Sequence, residues 1–157
     1  MIKTVIAAFL SAMIGFLRGQ PPFYSMIAAI LCMQKDHQKG VQVALNRTVG
    51  TFIGGAFGLI LLLIEQNTPL MAHTLLYYLI VSLCIIPLIY VTVLIKKFSA
   101  SYITCVVFLS ITVSHVTDSN PYLFVFNRVL DTLVGIFLAL AVNKIIPYHK
   151  NDNDEEE

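Results

Sequence analysis

The chain has 157 residues, of which 57% are hydrophobic and only 12% charged, and its mean hydropathy is +0.80. A soluble domain carries about 25% charged residues, so a water-soluble globule is excluded and an all-α integral membrane protein is expected. The net charge of +1, with basic residues scattered among apolar runs, excludes a nucleic-acid footprint.

Residues 2–17 form the first apolar run, closed by Arg18 and by Pro21-Pro22, which cannot continue a helix. With Lys3 at its start it imitates a secretory signal, but no small-x-small cleavage site follows, so it reads as a retained membrane helix. Residues 23–33 form the second run. A span needs about 17–25 residues, so this helix must recruit the preceding turn or Gln34, or cross only part of the bilayer. Residues 34–45, with Lys35, Asp36, His37 and Lys39, read as a cytoplasmic linker or a short surface helix. Residues 48–64 form the third span, closed by Glu65, Gln66, Asn67 and Pro69. Residues 75–95 form the fourth, with a kink expected at Pro87 and a stop at Lys96-Lys97. Residues 99–116 form the fifth, and residues 117–121 are a turn signal. Residues 129–146 form the sixth, ended by Pro147. The membrane domain is therefore residues 1–147, in halves of about 1–66 and 70–147, and residues 148–157 are an acidic cytoplasmic tail.

Charge orients the six spans. With both termini on one side, that side holds Lys3, Lys35, Lys39, Arg47, Lys96, Lys97, Lys144 and Lys150, and the other holds Arg18 and Arg128. Eight against two is a positive-inside bias that places both termini in the cytoplasm.

One stretch occurs twice. Asn46-Arg47-Thr48-Val49-Gly50-Thr51, followed by Gly54, recurs as Asn127-Arg128-Val129-Leu130-Asp131-Thr132, followed by Gly135. Asn, Arg, Thr and Gly match at an offset of 81. That offset lays spans one to three on spans four to six. Three spans is an odd number, so the halves enter the membrane from opposite faces, a 3+3 inverted-topology repeat of the kind common among transporters.

Arg47, Thr51, Gly54 and Gly58 share one stripe of span three, and Gly50, Gly54 and Gly58 make overlapping G-x-x-x-G patterns. These glycines serve helix packing, or they keep a pathway open beside the helix. Each arginine is expected to begin a helix, where the macrodipole disfavours a cation. Arg128 has Asp131 three residues on as an ion-pair candidate, whereas the matching position near Arg47 is Gly50. Arg47 is thus expected to reach the headgroups or an anion, and a helix N-terminus with a guanidinium suits carboxylate or phosphate. The candidate anion path comprises Arg47, Thr51, Gly54, Gly58, Arg128, Asp131, Thr132 and Gly135.

Other polar groups have plainer readings. Ser110, Thr112 and Ser114 are expected to bond their own backbone, and His115 to sit at an interface. Tyr77, Tyr78, Tyr90, Tyr102, Tyr122 and Tyr148 suit an aromatic belt. Cys32, Cys84 and Cys105 lie in apolar runs without metal-ligand spacing and read as small buried hydrophobes. No catalytic constellation, metal cluster or cofactor motif is present, so neither an enzyme nor a cofactor is expected.

At its two arginine motifs the chain resembles the fusaric acid resistance (FUSC) superfamily, near the bacterial aromatic acid exporter family. The residues that carry the resemblance are Arg47-Thr48-Val49-Gly50-Thr51 with Gly54 and Gly58, Asn127 to Gly135, and the close Val142-Asn143 with Pro147. It covers residues 1–147. It implies a six-helix, multi-pass domain in a bacterial plasma membrane, often dimeric, that exports aromatic carboxylates along an arginine-lined path. Many members continue into a cytoplasmic domain or a second membrane half. Here a short tail follows, so a complete pathway is expected from a homodimer in the lipid bilayer. The alternatives are a passive anion channel and a non-transporting membrane subunit or scaffold.

Overall fold

The computed structural model describes residues 2–67, 74–114 and 120–145. They form α1 (Ile2–Leu17), α2 (Phe23–Cys32), α3 (His37–Asn67), α4 (Thr74–Leu94), a 3-10 turn at Phe98–Ala100, α5 (Ser101–Ser114) and α6 (Pro121–Ile145), with no strand among the described residues. Pro69, His115, Pro147, Tyr148, residues 117–119 and the acidic tail lie outside the described residues.

Of the stretch 34–45, expected as a linker or a short surface helix, only residues 34–36 link α2 to α3. From His37 onward it is the first nine residues of α3, which runs unbroken for 31 residues, about 46 Å at the helical rise. Asp36 is the reason. Its Oδ1 accepts the Gln38 N–H at 3.0 Å, and its carbonyl accepts the Gly40 N–H at 3.0 Å, so the helix is capped well before its apolar stretch begins. The sixth helix also starts earlier than expected, at Pro121 rather than 129. Proline is tolerated at a first helical position because the N–H it lacks would have no intrahelical partner there.

Three helices, at His37–Asn67, Leu75–Leu94 and Tyr122–Ile145, are long and apolar enough to cross a membrane. The apolar helices Ile2–Leu17, Phe23–Cys32 and Phe98–Val113 are shorter. The 10 residues of α2 rise only about 15 Å, half of a hydrocarbon core. α4 runs as one helix through Pro87.

The chain divides into two compact units, residues 1–44 with 133–157 and residues 45–132. In the first, α1 ends in a Schellman cap: Gly19 is left-handed (φ 65°), Gln20 N–H reaches the Gly15 carbonyl at 3.1 Å and Gly19 N–H the Phe16 carbonyl at 3.0 Å. The chain then folds back so closely that a Cβ on Gly15 would lie 2.5 Å from the Pro22 Cβ. Its core is built of small side chains: Ala7, Ala28, Ala29, Cys32, Ala44 and Ala139, with Ile136 and Val142.

In the second unit α4 ends in the same cap. Lys96 takes the left-handed place (φ 57°), Lys97 N–H bonds the Thr92 carbonyl and Lys96 N–H the Val93 carbonyl, both at 2.9 Å. The fold-back contact is here a hydroxyl pair, Thr92 Oγ1 and Ser101 Oγ, 2.5 Å apart. Larger side chains fill this core, in a cluster of Leu61, Tyr77, Val81, Leu88 and Phe108 and another of Leu62, Val107, Ile111 and Val125. Tyr77 departs from the expected aromatic belt. It is fully buried, and its hydroxyl donates to the Thr112 carbonyl at 2.7 Å. Tyr78, Tyr90, Tyr102 and Tyr122 are exposed.

Polarity runs opposite to that of a soluble protein. α1 buries Ala7, Ser11 and Gly15 and exposes Val5, Phe9, Met13 and Phe16. α4 exposes Leu75, Leu79, Leu83 and Ile86. Large apolar groups outside and small or hydroxyl groups inside suit a lipid solvent, where helices gain most from close backbone approach.

Candidate functional site

The glycines of α3 mark where α5 lies. A Cβ on Gly50 would stand 2.9 Å from the Ala100 carbonyl oxygen, one on Gly54 2.5 Å from that of Thr104, and one on Gly58 2.9 Å from Ile111 Cγ2. These three glycines thus let α3 lie close to the 3-10 turn and α5, backbone against backbone at Gly50 and Gly54. Gly55, on the neighbouring face, looks toward Val125 and Val129 of α6 at 3.4 and 4.0 Å, an ordinary contact distance.

Arg47 and Thr51 lie on the same stretch of α3, one turn apart, and Arg128, Asp131 and Thr132 lie together in the interior of α6. All are buried: Arg47 is 7% exposed, Arg128 4%, Asp131 5%, and Thr51 and Thr132 2% each. Together with Gly54 and Gly58 these residues belong to the unit 45–132. Gly135, the eighth predicted site residue, belongs to the other unit, where a Cβ would collide with the Ser25 carbonyl and the Ala28 Cβ of α2.

One expectation about the arginines is overturned. Neither begins a helix: Arg47 stands ten residues past the first residue of α3, and Arg128 seven past that of α6. Interior N–H groups are taken up by the helix's own bonds, and the macrodipole acts only within the first and last turns. A helix N-terminus therefore supplies no anion site at Arg47, and recognition there rests on side chains. Nor do the two arginines belong to loops. Like Lys3, Lys39 and Lys144, they lie on helices.

Among the described residues the buried charges are Arg47, Arg128, Asp131 and Glu65. Asp131 lies one turn from Arg128 on the same helical face. Two guanidinium groups thus occur with one carboxylate in the motif stretches of this unit. Glu65 is 18 residues beyond Arg47 on α3, about 27 Å by the helical rise. It lies in the last turn of α3, at the close expected of it. It is buried one turn past Leu61, which packs with Tyr77. Its spacing from Arg47, five helical turns, was the available signal, since 18 residues return to the same face.

The hydroxyls inside the helices mostly serve their own backbone, as expected. Ser110 donates to the Val107 carbonyl at 2.9 Å, Thr104 to Ala100 at 2.9 Å, Thr112 to Phe108 at 3.0 Å and Thr132 to Arg128 at 3.0 Å. Thr51 differs: its Oγ1 is buried and makes no hydrogen bond. Among the described residues no group of His, Cys, Asp or Glu could hold a metal, and Cys32, Cys84 and Cys105 are free thiols. Asn143, one of the residues that carry the resemblance, donates from Nδ2 to the Gln34 carbonyl at 3.1 Å and ties the end of α6 to the chain leaving α2.

An all-helical chain with apolar outer faces, three helices long enough to cross a membrane and buried arginines on two of them is a membrane protein. The family model described as fusaric acid resistance protein-like matches residues 5–142, and the chain belongs to that family. The match spans both arginine motifs and links the chain to membrane transport and efflux. No curated protein matches the chain.

Proposed function

We propose that this protein exports small organic anions, aromatic carboxylates foremost, across a bacterial plasma membrane along a path lined by Arg47 and Arg128. The observation that carries the reading is the burial of both guanidinium groups on long apolar helices with Asp131 as the carboxylate of the motif stretches. A buried cation is costly in a low-dielectric medium unless negative charge offsets it. Two buried guanidinium groups in the motif stretches favour negative charge nearby, and a guanidinium fork suits a carboxylate geometrically. Asp131 orients Arg128. The glycines shape the path by setting how closely α5 approaches α3 and α2 approaches α6.

The six helices form two inverted halves with both termini in the cytoplasm, working as a homodimer. The repeated contacts support the inverted halves. Gly54 meets the Thr104 carbonyl and the Val107 Cβ, and Gly135 meets the Ser25 carbonyl and the Ala28 Cβ, each a carbonyl and then a Cβ three residues on. The paired Schellman caps that close α1 and α4 support them too.

The test is efflux from liposomes holding only the purified protein, over a panel of aromatic and aliphatic carboxylates. Wild type and Lys39→Gln, a change at an exposed residue, are expected to pass selected carboxylates alike. Arg47→Gln is expected to fall roughly tenfold or more, the weight of a lost charge-assisted contact. Equal flux in all three removes Arg47 from the path. Current that reverses at the anion equilibrium potential, without proton dependence, makes the protein a passive channel. No flux of any anion from folded protein makes it a non-transporting subunit or scaffold.

A further inference from the structure

The two copies of the motif differ at their threonines. In the second copy the Thr132 hydroxyl donates to the carbonyl of Arg128, four residues back, at 3.0 Å. The same bond recurs at Thr104 and Thr112. In the first copy Thr51 stands at the identical register, four residues after Arg47, yet its Oγ1 makes no hydrogen bond although the residue is 2% exposed. A buried hydroxyl without a partner destabilises the folded state, and nearly all such groups in native proteins are satisfied. Valine would fill the same volume at no such cost.

We propose that Thr51 is a substrate-binding donor: its hydroxyl gives a hydrogen bond to one carboxylate oxygen of the transported anion, on the face of α3 that also carries Arg47. The inference rests on the anion-export reading above and refines it. The first motif copy does the binding through Thr51, while the hydroxyl of Thr132 is committed to its own helix. The ligand class is a carboxylate because one hydroxyl donor and one guanidinium on the same helical face offer separate donors to its two oxygens. Neither needs a free helix terminus, which Arg47 does not have.

The experiment uses purified full-length protein in liposomes, with benzoate as the probe. Initial rates against concentration are measured for wild type, Thr51→Val, Thr51→Ser and Thr112→Val, together with the melting temperature of each. Thr112 lies on α5, and its hydroxyl already bonds the Phe108 carbonyl. Thr51→Val is expected to raise KM roughly tenfold, the weight of a hydrogen bond to a charged acceptor, with maximal rate near that of wild type. Its melting temperature is expected at or above the wild-type value, because the substitution removes an unsatisfied buried hydroxyl. Thr51→Ser is expected to restore KM, and Thr112→Val to leave it unchanged. An unchanged KM in Thr51→Val overturns the inference and leaves the export reading standing. A melting temperature below wild type in Thr51→Val also overturns it, since the hydroxyl then has a partner inside the protein. No flux from folded wild type overturns the export reading, and this inference with it.

Discussion

Gly54, Gly55 and Gly135 look alike in the sequence, but their surroundings differ. A Cβ on Gly54 would sit 2.5 Å from a backbone oxygen, and one on Gly135 would collide with another, whereas one on Gly55 meets only a valine methyl at 3.4 Å. Backbone cannot yield as a flexible side-chain end does. Gly54→Ala and Gly135→Ala are each expected to cost roughly 1–3 kcal/mol, the range for overpacking, and Gly55→Ala to be nearly neutral. Thermal unfolding in detergent reads the difference, and equal melting temperatures for Gly54→Ala and Gly55→Ala would refute the close approach of α5. The arginines teach a related lesson. Their motif is visible in the sequence, but their depth is not, because burial depends on what packs against a residue.

Two helices begin earlier than hydropathy indicates, and both starts have local chemical causes. The apolar span reads from residue 48, but the helix starts at His37 because Asp36 caps it. An N-cap aspartate contributes about 1 kcal/mol. Asp36→Ala is therefore expected to fray the first turn of α3 and speed amide hydrogen exchange at residues 37–40, while Asp36→Asn retains the cap. Unchanged exchange in Asp36→Ala would show that tertiary contacts alone hold that turn. The boundary matters for function. Ten residues of helix ahead of Arg47 consume the N–H groups that an anion would otherwise use, so side chains must do the recognising.

At the scale of the whole molecule, the third helix of each sequence half packs outside its own half. The glycines of α3 meet α5, and Gly135 of α6 meets α2. The first compact unit therefore joins two segments distant in the chain, 1–44 and 133–157, while the second is the continuous stretch 45–132. Orientation is tested independently of transport. In a chain with Cys32, Cys84 and Cys105 replaced, single cysteines at Lys35 and Lys97 are expected to react with a membrane-impermeant maleimide only after the cells are opened. Labelling of either in intact cells would refute the cytoplasmic placement of these loops.

The membrane class, the all-helical architecture, the bounds of α1 and the family were legible along the chain, because each depends on local composition or on a contiguous motif. So was the tendency of Ser110 and Thr112 to bond their own backbone, a matter of four neighbouring residues. The depth of Arg47, the burial of Glu65 and Tyr77 and the unsatisfied hydroxyl of Thr51 were not. Thr51 and Thr132 are the same residue in the same register, and only folding separates them. A hydrogen bond is decided by rotamer and surroundings, and both are set by helices far away in the sequence.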